Sequence, residues 1–357
     1  MLDKNINLTG KTVLVTGAAG FIGANLCTAL LKKTEDIRII GVDSLNDYYE
    51  VSLKEFRLRQ IEDVQKEESG QFIFIRGNIA DRKLISSVFD EYAPDVVVNL
   101  AAQAGVRYSI TNPDAYIEAN VIGFYNILEA CRHSFDHGKA GVKHLIYASS
   151  SSVYGSSQKI PYAVEDQVDN PVSLYAATKK SNELFAHAYA KLYGIPSTGL
   201  RFFTVYGPAG RPDMAYFNFT NKLIRGGTIQ IFNYGNCKRD FTYIDDIVKG
   251  ITEVLHRSPV PNKEGVRYKI YNIGNHRPEN LLDFVEILQQ ELKRAGVLPE
   301  YYDFDAHREL VGMQPGDVET TYADITELES DFGFRPQTKL REGLRKFTQW
   351  YKEYYKI

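Results

Sequence analysis

A glycine-rich turn between a predicted strand and a predicted helix constrains the fold of this chain more than any other feature. The β-branched run 12–16 predicts a buried strand, and the apolar run 21–31 predicts the helix that follows it. Three glycines occur at intervals of three residues. The first permits a sharp turn, the second lets a pyrophosphate approach the backbone, and the third lets helix and strand pack closely. The helix start directs free N–H groups at the phosphates, so we predict a dinucleotide site formed by Gly17, Gly20, Phe21, Ile22 and Gly23.

The second predicted strand, 38–42, leads directly into Asp43, about twenty residues beyond the glycines. A carboxylate at this position accepts hydrogen bonds from both hydroxyls of an adenosine ribose and repels a 2′-phosphate. The sequence therefore predicts NAD, rather than NADP, as the cofactor.

Charge and cysteine content argue against several classes of function. The 357 residues carry a formal net charge of −3, with Lys and Arg dispersed along the chain, which does not indicate a nucleic-acid-binding surface. No signal peptide and no apolar run long enough to span a bilayer is evident. The cysteines form neither a metal-binding pattern nor a disulfide framework, as is typical of the reducing cytoplasm: Cys27, Cys131 and Cys237. We therefore expect a cytoplasmic protein without nucleic-acid or membrane partners and without a metal.

Strand and helix patterns alternate through the first half of the chain, which predicts an α/β fold, a Rossmann-type doubly wound parallel sheet. The six predicted strands are 12–16, 38–42, 71–76, 95–100, 144–149 and 196–203. We predict an NAD-binding domain over residues 1–203 and a smaller, mostly C-terminal α/β substrate domain over 204–357. Part of the latter, about 240–274, returns to the main sheet through a strand at 268–273. Ligands in such sheets bind at the carboxyl ends of the strands.

Helical patterns fill the connections between these strands. The run 49–66 is strongly charged, which is typical of a solvated helix. Asp81 and Asn280 each precede a helical pattern as N-caps. Long helices are predicted over 112–133 and 174–193.

Small and polar residues follow two of the strands, at the edge where a cofactor is expected. After the third strand, Asn78 is placed to reach an adenine edge, with Ile79 beside it. After the fourth strand come Ala101, Ala102 and Gln103, and the small residues let a cofactor lie against the backbone.

Tyr175 and Lys179 lie four residues apart at the start of a predicted helix, so their side chains share one face. A phenol with a pKa of about 10 is a poor base at neutral pH, but a neighbouring ammonium and a positive nicotinamide ring favour the phenolate. Such a pair in isolation is most simply a surface pair. Here the serines 149–152 end the preceding strand and face the same crevice, where a hydroxyl can bond the reacting oxygen. The combination predicts Tyr175 as the base for a sugar hydroxyl.

Six segments that span nearly the whole chain resemble the extended short-chain dehydrogenase/reductase family of NAD-dependent sugar-nucleotide epimerases and dehydratases. They are TGAAGFIG (16–23), NLAAQAGVR (99–107), SSSSVYG (149–155), YAATK (175–179), RDFTYIDD (239–246) and YNIG (271–274). Within the family, NLAAQAGVRYSITNP and GPAGRPDMA are most similar to members that epimerise UDP-glucuronate at C4.

The resemblance implies roles for individual residues. Ser150, Tyr175 and Lys179 form the implied catalytic set, and Arg239 is the implied arginine for the UDP diphosphate. Two positions depart from the family pattern: Asn78 replaces a commoner Asp, and Gln314 stands where many relatives carry a phosphate-binding arginine. We further expect Asn120, Ser149, Tyr175 and Lys179 to contact NAD, and Arg107, Ser150, Ser152, Tyr175 and Thr204 to contact the UDP-sugar.

Members of this family share a first step, in which C4 of the sugar is oxidised to a ketone. A dehydratase then needs an acid–base pair, which relatives carry as Asp-Glu where this chain has Ser151 and Ser152. An epimerase needs only room for the 4-keto sugar to turn and take the hydride on its other face. We therefore expect a UDP-sugar 4-epimerase that converts UDP-glucuronate to UDP-galacturonate. The alternatives are a UDP-glucose/UDP-galactose 4-epimerase, a UDP-glucuronate decarboxylase and, in a different class, a catalytically silent NAD-binding regulator.

Arg211 lies in the loop after the sixth strand and is the expected partner of the sugar carboxylate, because a guanidinium binds a carboxylate by two parallel hydrogen bonds. The alternatives for Arg211 are a pair with Asp213 or a solvated position.

The family resemblance also implies a homodimer in which helices 113–133 and 174–193 form a four-helix interface. Apolar residues outside the sheet-facing stripes of these helices agree with that expectation: Phe124, Leu128, Leu184 and Phe185.

Overall fold

The part of the chain that the computed structural model describes, residues 2, 4–138, 140–313 and 318–357, is built on a seven-stranded parallel sheet. Its strands and those of two small sheets are β1 (Thr12–Thr16), β2 (Arg38–Asp43), β3 (Gln71–Arg76), β4 (Val96–Asn99), β5 (His144–Ser150), β6 (Ser197–Phe202), β7 (Thr204–Tyr206), β8 (Ile229–Ile231), β9 (Lys238–Tyr243), β10 (Tyr268–Ile273), β11 (Pro278–Asn280) and β12 (Arg308–Leu310). The order in the main sheet is β10-β6-β5-β4-β1-β2-β3. This order confirms the predicted Rossmann-type doubly wound fold.

Both faces of the main sheet are covered, which explains the continuous apolar runs of its strands. Val13 and Val15 of β1 face one hydrophobic core, whereas Leu14 between them faces the other. The whole of β4 is buried. Such strands need apolar residues at every position, because successive side chains point to opposite faces.

The α-helices of the described chain are α1 (Phe21–Lys33), α2 (Val51–Gln65), α3 (Arg82–Tyr92), α4 (Tyr108–Thr111), α5 (Pro113–Tyr116), α6 (Phe124–His133), α7 (Leu174–Tyr193), α8 (Ala215–Ile224), α9 (Ile244–Leu255), α10 (Leu281–Arg294), α11 (Thr326–Phe332) and α12 (Leu340–Tyr355). α10 packs against α8 and α12 rather than against the main sheet. The predicted N-caps are confirmed, since Asp81 accepts backbone hydrogen bonds at the start of α3 and Asn280 does so at the start of α10.

The helix predicted over 112–133 is not a continuous α-helix. It consists of α5, a π-helical segment Ile117–Gly123 and α6. A π-helical segment inserts an extra residue into the helical turn and re-aims the side chains around it. Here it carries Asn120 into the protein interior, where 1% of the residue is exposed.

The charged helix α2 is not simply solvated, and that prediction was wrong for one of its faces. Lys54 and Arg57 are 5% and 1% exposed, and they share the buried face with Leu53, Leu58 and Ile61.

The apolar residues expected at a dimer interface divide into two groups. Phe124 and Leu128 are buried in the core of their own chain, so their assignment to an interface was wrong. Leu184 and Phe185 of α7 are exposed by 58% and 37%. Phe124 and Leu128 are buried because α6 turns its most apolar stripe to the sheet. The sequence pattern does not distinguish such a stripe from one that faces outward.

The C-terminal part of the chain packs against the main sheet and also joins it. β10 pairs in parallel with β6, from Tyr268 opposite Ser197 to Ile273 opposite Phe202. β9 lies between β7 and β11 in a three-stranded sheet, and β12 pairs with β8. The domain boundary between residues 203 and 204 stays a prediction.

None of the described helices has both the length and the apolar character that a bilayer crossing requires. Cys27, Cys131 and Cys237 are buried and carry free thiols. Burial raises the pKa of the Cys27 and Cys131 thiols, so both are inert hydrophobic groups rather than nucleophiles.

Candidate active site

A cavity lies where the carboxyl ends of β1 to β6 meet. Each of these strands ends in residues that line it, from Gly17 after β1 to Phe202 at the end of β6. The predicted site residues among its described lining are Gly17, Gly20, Phe21, Ile22, Gly23, Asp43, Asn78, Ile79, Ala101, Ala102, Gln103, Ser149, Ser150, Tyr175, Lys179 and Arg211. The chain thus brings together predicted site residues that are up to 194 positions apart, from Gly17 to Arg211.

The glycine turn has the geometry that a dinucleotide requires. Gly17 has a φ of +71°, and a Cβ at this position would lie 2.8 Å from the backbone nitrogen of Ala101. A Cβ at Gly23 would lie 2.1 Å from the carbonyl oxygen of Gly17, so α1 packs against the turn only with glycine there. α1 begins at Phe21 with its first N–H groups at the cavity. The turn therefore fits the pyrophosphate of a dinucleotide.

Asp43 lies at the end of β2 beside this turn. Its Oδ2 accepts a hydrogen bond from the backbone N–H of Ala19 at 3.1 Å, and its Oδ1 accepts one from Leu45 at 2.9 Å. Each oxygen retains a second lone pair for a ribose hydroxyl. The backbone thus holds the carboxylate at the cavity, and its contact with a ribose stays a prediction.

Asn78 lines the cavity at the end of β3, but its side chain is engaged within the protein. Its Nδ2 donates to Glu118 Oε1 at 2.8 Å, and its Oδ1 accepts from the backbone N–H of Ala80 at 2.9 Å. An adenine contact through Asn78 stays a prediction, and it would compete with Glu118.

Ser150, Tyr175 and Lys179 line the cavity near β5, which is separated from β2 and its Asp43 by β4 and β1. Ser150 is the last residue of β5, and Ser173 caps α7 so that Tyr175 lies in its first turn. Ser150 and Tyr175 share a side-chain hydrogen bond. Lys179, one turn further along α7, is 3% exposed and donates from Nζ to the carbonyl oxygen of Ala148 at 2.8 Å.

The electrostatic balance at Tyr175 differs from the expectation. Burial has the largest effect and raises the pKa of the phenol, whereas the Ser150 hydrogen bond and the charge of Arg211 lower it. Burial also lowers the pKa of Lys179 to about 8. Without ligands, the phenol is therefore protonated at neutral pH, and the lysine ammonium is directed at a backbone carbonyl.

Arg211 reaches the cavity from the loop after β7 and is paired with Asp213. Its Nε donates to Asp213 Oδ1 at 3.0 Å, and its Nη2 donates to Oδ2 at 2.5 Å. Tyr48 donates its hydroxyl to the same carboxylate at 3.2 Å. The alternative of a pair with Asp213 is thus what the ligand-free chain adopts. This pair uses one edge of the guanidinium and leaves the Nη1/Nη2 edge for a second acceptor.

Asn120 lies behind the cavity wall rather than in its lining. Its Nδ2 donates to the carbonyl of Gln103 and to Thr178 Oγ1, each at 3.0 Å, and its Oδ1 accepts from the N–H of Gln103 at 2.8 Å. Within the described chain it holds the segment after β4 against α7. Its direct contact with NAD stays a prediction.

The remaining predicted substrate residues lie outside the described cavity lining. Ser152 bonds Ser150 in the turn after β5, and Thr204 begins β7. Arg107 lies over the ring of Phe232 at 4.8 Å, and Arg239 donates to the carbonyls of Lys238 and Glu319. Their roles stay predictions, and Gln314 lies outside the described residues.

The polar lining residues that the sequence reasoning missed come from one stretch: Ser44, Asn46, Tyr48, Tyr49 and Lys54. The sequence pattern of α2 could have indicated that Lys54 and its buried neighbour Arg57 face the protein interior. Both positions interleave with Leu53, Leu58 and Ile61 on one helix face, so charged residues occupied an apolar stripe.

Within the described part of the chain, no group of three or more His, Cys, Asp or Glu side chains is arranged to hold a metal ion.

Comparisons with known proteins point in the same direction as this geometry. The sequence matches the NAD dependent epimerase/dehydratase family over residues 13–274. It is 48% identical over 355 residues to Protein CapI of Staphylococcus aureus, covering 96% of this chain and 99% of that one. It is 43% identical over 357 residues to UDP-glucuronate 4-epimerase 2 of Arabidopsis thaliana, covering 97% of this chain and 77% of that one. The crystal structure of a UDP-glucuronic acid 4-epimerase from Bacillus cereus, in complex with UDP-glucuronic acid and NAD, superposes with a TM-score of 0.81 at 32% identity and covers 96% of this chain and 100% of that one.

Proposed function

This chain belongs to the NAD-dependent epimerase/dehydratase family, and from that membership we propose that it interconverts UDP-glucuronate and UDP-galacturonate by epimerisation at C4. The observation that carries the proposal is the placement of Ser150, Tyr175 and Arg211 in one cavity with a dinucleotide-binding turn. The relatives that are named UDP-glucuronate 4-epimerases, and a structural neighbour that binds UDP-glucuronic acid and NAD, support it.

The chain's own residues divide the chemistry among them. NAD, when bound, supplies a reversible hydride acceptor. Tyr175 accepts the proton of the C4 hydroxyl and returns it after the sugar has turned. Ser150 orients the reacting oxygen through the hydrogen bond that it now shares with Tyr175. The ammonium of Lys179 lowers the free energy of the phenolate when it turns from Ala148 toward Tyr175.

The carboxylates around the cavity favour epimerisation over dehydration. Asp43 is the only carboxylate among the described lining residues, and it lies at the ribose end. Ser151 and Ser152 occupy the turn where a dehydratase would need an acid and a base. Nothing in this lining can both remove a C5 proton and protonate a leaving C6 hydroxyl.

Arg211 is the residue to which we assign the choice of an acidic sugar. Asp213 orients its guanidinium and leaves the Nη1/Nη2 edge for the sugar carboxylate. A firm grip on that group has a second consequence. The 4-keto intermediate is a β-keto acid, and it loses CO₂ only when the C–COO⁻ bond aligns with the carbonyl π system. A carboxylate held out of that alignment is retained, and the product remains an epimer.

The test is an NMR assay of the purified protein with UDP-glucuronate and with UDP-glucose, read from the anomeric signals. We expect Arg211→Leu to reduce turnover of the acid by about 10²-fold or more, with little change or a gain for the neutral sugar. Some UDP-pentose is expected as a by-product. Arg211→Lys should fall between the two proteins, because an ammonium lacks the bidentate edge.

Arg225→Leu, an exposed arginine of the same lobe at the end of α8, is the matched control and should behave like the wild type. Equal losses of Arg211→Leu on both sugars would reduce Arg211 to a structural residue. No epimerisation of either sugar by the wild type would refute the proposed function itself.

We place the other predicted residues at the outer part of the same substrate site. In this proposal Arg239 holds the UDP diphosphate, and Arg107, Ser152 and Thr204 contact the nucleotide sugar beyond the described cavity. Asn120 supports the NAD site from behind through Gln103. The three free, buried thiols agree with a cytoplasmic location.

We infer that the protein is a homodimer. α7 and the π-helical segment lie side by side, linked by the hydrogen bond from Asn182 Nδ2 to the carbonyl of Asn120 at 2.6 Å. The outer faces of α7, of the π-helical segment and of the start of α6 carry large apolar side chains that are 37–70% exposed, namely Ile117, Ile122, Tyr125, Leu184, Phe185 and Leu192. A continuous apolar surface on two adjacent helices fits a second copy of itself across a two-fold axis.

A further inference from the structure

Arg57 of α2 is a fully buried arginine that makes no ion pair with any described carboxylate. It is 1% exposed and Arg201 is 2% exposed, but Arg201 is paired with Glu183 at 2.8 Å. The guanidinium of Arg57 bonds three backbone carbonyls and one phenol instead. Burying a charge without a countercharge is unfavourable unless its donors are hydrogen-bonded. The position of Arg57 therefore needs an explanation.

The three carbonyls belong to two segments of the site that are far apart in sequence. Nη1 donates to Ala19 of the glycine turn at 3.0 Å. Nε donates to Ala209 at 2.8 Å, and Nη2 donates to Gly210 at 2.9 Å. Asp43 holds the other side of Ala19 by accepting its N–H at 3.1 Å. One side chain therefore ties the cofactor turn to the loop that carries Arg211.

The loop segment that Arg57 holds is conformationally strained. Ala209 has a φ of +51°, a region in which residues with a Cβ are disfavoured. A Cβ at Gly210 would lie 1.6 Å from the Tyr216 hydroxyl, so the backbone is also pressed close to α8. Such a conformation persists only where the surroundings enforce it, and the fork of Arg57 on two consecutive carbonyls does so.

The carbonyl of Gly210 belongs to the peptide group that leads directly into Arg211. Its orientation sets the direction in which the Arg211 side chain leaves the backbone. Asp213 then fixes the far end of that side chain.

From these contacts we propose that Arg57 is a positioning residue for the reaction. It couples the cofactor turn to the loop 207–213 and thereby fixes the grip of Arg211 on the sugar carboxylate. This inference rests on the function proposed above for Arg211. Lysine cannot replace Arg57, because an ammonium lacks the planar fork that reaches three carbonyls at once.

The experiment compares Arg57→Lys with the wild type and with Arg257→Lys. Arg257 is a suitable control because it is 7% exposed, does not line the cavity and also bonds backbone carbonyls, those of Leu2 and Glu253. Unlike Arg57, it also pairs with the Glu253 carboxylate at 2.6 Å. The first readout is hydrogen exchange of the loop amides 209–211 and 213, with and without added NAD. We expect exchange about tenfold faster in Arg57→Lys and unchanged in Arg257→Lys. Added NAD should slow exchange of this loop in the wild type and not in Arg57→Lys.

The second readout is the product distribution from UDP-glucuronate. Arg57→Lys should lower epimerisation by up to about 100-fold, because a displacement of about 1 Å at a binding group has that effect. The fraction of UDP-pentose should rise at the same time. A residue with only a structural role would lower the rate without changing that fraction.

The proposal is overturned if loop exchange and product fraction are those of the wild type while Arg57→Lys remains folded. If Arg57→Lys does not fold, Tyr49→Phe, which removes the phenol partner and leaves the three carbonyl contacts, should still loosen the loop. Wild-type exchange in a folded Tyr49→Phe would then count against the coupling. If the wild type epimerises no UDP-sugar, the proposed function fails, whereas the exchange measurement still decides whether Arg57 couples the two segments.

Discussion

At the scale of single residues, the surroundings of Tyr175 act on the pKa of its phenol in opposite directions. Burial raises the pKa of the phenol, and only the Ser150 hydrogen bond and the positive charge of Arg211 lower it. Burial by itself therefore disfavours the phenolate, and the nearby positive charge acts against that effect.

We predict that Tyr175→Phe lowers turnover by about 10²–10⁴-fold, because a phenyl ring can neither accept nor return a proton. The stability of the folded state should be nearly unchanged. Turnover is measured by the NMR assay, and stability is measured by thermal unfolding. Tyr116→Phe is the matched control, since its ring lies 6.0 Å from that of Tyr175 and its hydroxyl serves backbone carbonyls. A Tyr175→Phe protein with most of its activity would remove Tyr175 from the mechanism.

Lys179 leads to a prediction in which stability and activity change in opposite directions. Its pKa in the folded chain is about 8, below the ordinary value of 10.5, because the ammonium is buried. Below pH 8 both the folded and the unfolded chains carry the charge, and the unfavourable burial is fully present. Between pH 8 and 10.5 the folded chain loses the proton first, so the free energy of unfolding of the wild type rises.

Lys179→Met should therefore abolish turnover and yet raise the free energy of unfolding at pH 7, by at most about 3 kcal/mol. The loss of the hydrogen bond to Ala148 reduces this gain by about 1 kcal/mol. The gain should shrink as the pH rises from 8 to 10.5, as measured by chemical unfolding of nucleotide-free protein. Lys191→Met, an exposed lysine of the same helix, should show no such pH dependence. A constant difference across this range would contradict the assignment.

At the scale of elements, the π-helical segment places one side chain where a regular helix would not. Asn120 uses its amide to bond the backbone of Gln103 after β4 and the hydroxyl of Thr178 in α7. Thr178 directly precedes Lys179, so this amide joins the segment after β4 to the helix that carries Tyr175 and Lys179. The extra residue in the helical turn is what allows both contacts.

We predict that Asn120→Ala lowers the free energy of unfolding by about 1–3 kcal/mol, because buried polar groups lose their partners. Turnover should also fall, because Gln103 and Lys179 lose their common support. Asn126→Ala is the control: Asn126 is 4% exposed, against 1% for Asn120, and bonds the carbonyls of Ile79 and Ala80 after β3. It should be destabilised to a similar degree but retain more of its turnover. Wild-type turnover in Asn120→Ala would contradict the role of the π-helical segment.

For the whole molecule, the relevant feature is the set of exposed apolar side chains on α7 and on the adjacent π-helical segment. A monomer would leave these side chains in contact with water. Leu184 and Leu192 are 58% and 70% exposed and lie two turns apart on α7. An apolar surface of this kind is stable in water when a second copy covers it.

We predict a dimer for the wild type at micromolar concentration and a shift toward monomer for Leu184→Glu, because two buried carboxylates would repel each other across a two-fold axis. Light scattering measures both. Tyr301→Glu alters a residue that is 89% exposed and outside α7 and its neighbour, and it should leave the assembly unchanged. A monomeric wild type would refute the proposed dimer.

The sequence by itself determined the sheet, the cofactor turn and most of the cavity lining. Their signals are local, since β-branched runs, glycine spacing and residues at strand ends lie within short stretches of chain. Parallel strands align their carboxyl ends, so Gly17, Asp43 and Ser150 had to meet once the strands were identified.

Tertiary structure alone decided which face of a helix is outside and which partner a charged group takes. Phe124 and Leu184 look alike in a helical pattern, but one packs under the sheet and the other faces outward. The buried Arg57 and the pair of Arg211 with Asp213 depend on contacts between the chain near residue 50 and the loop near residue 210. Such contacts follow from the three-dimensional packing of whole elements, and no periodicity within either segment encodes them.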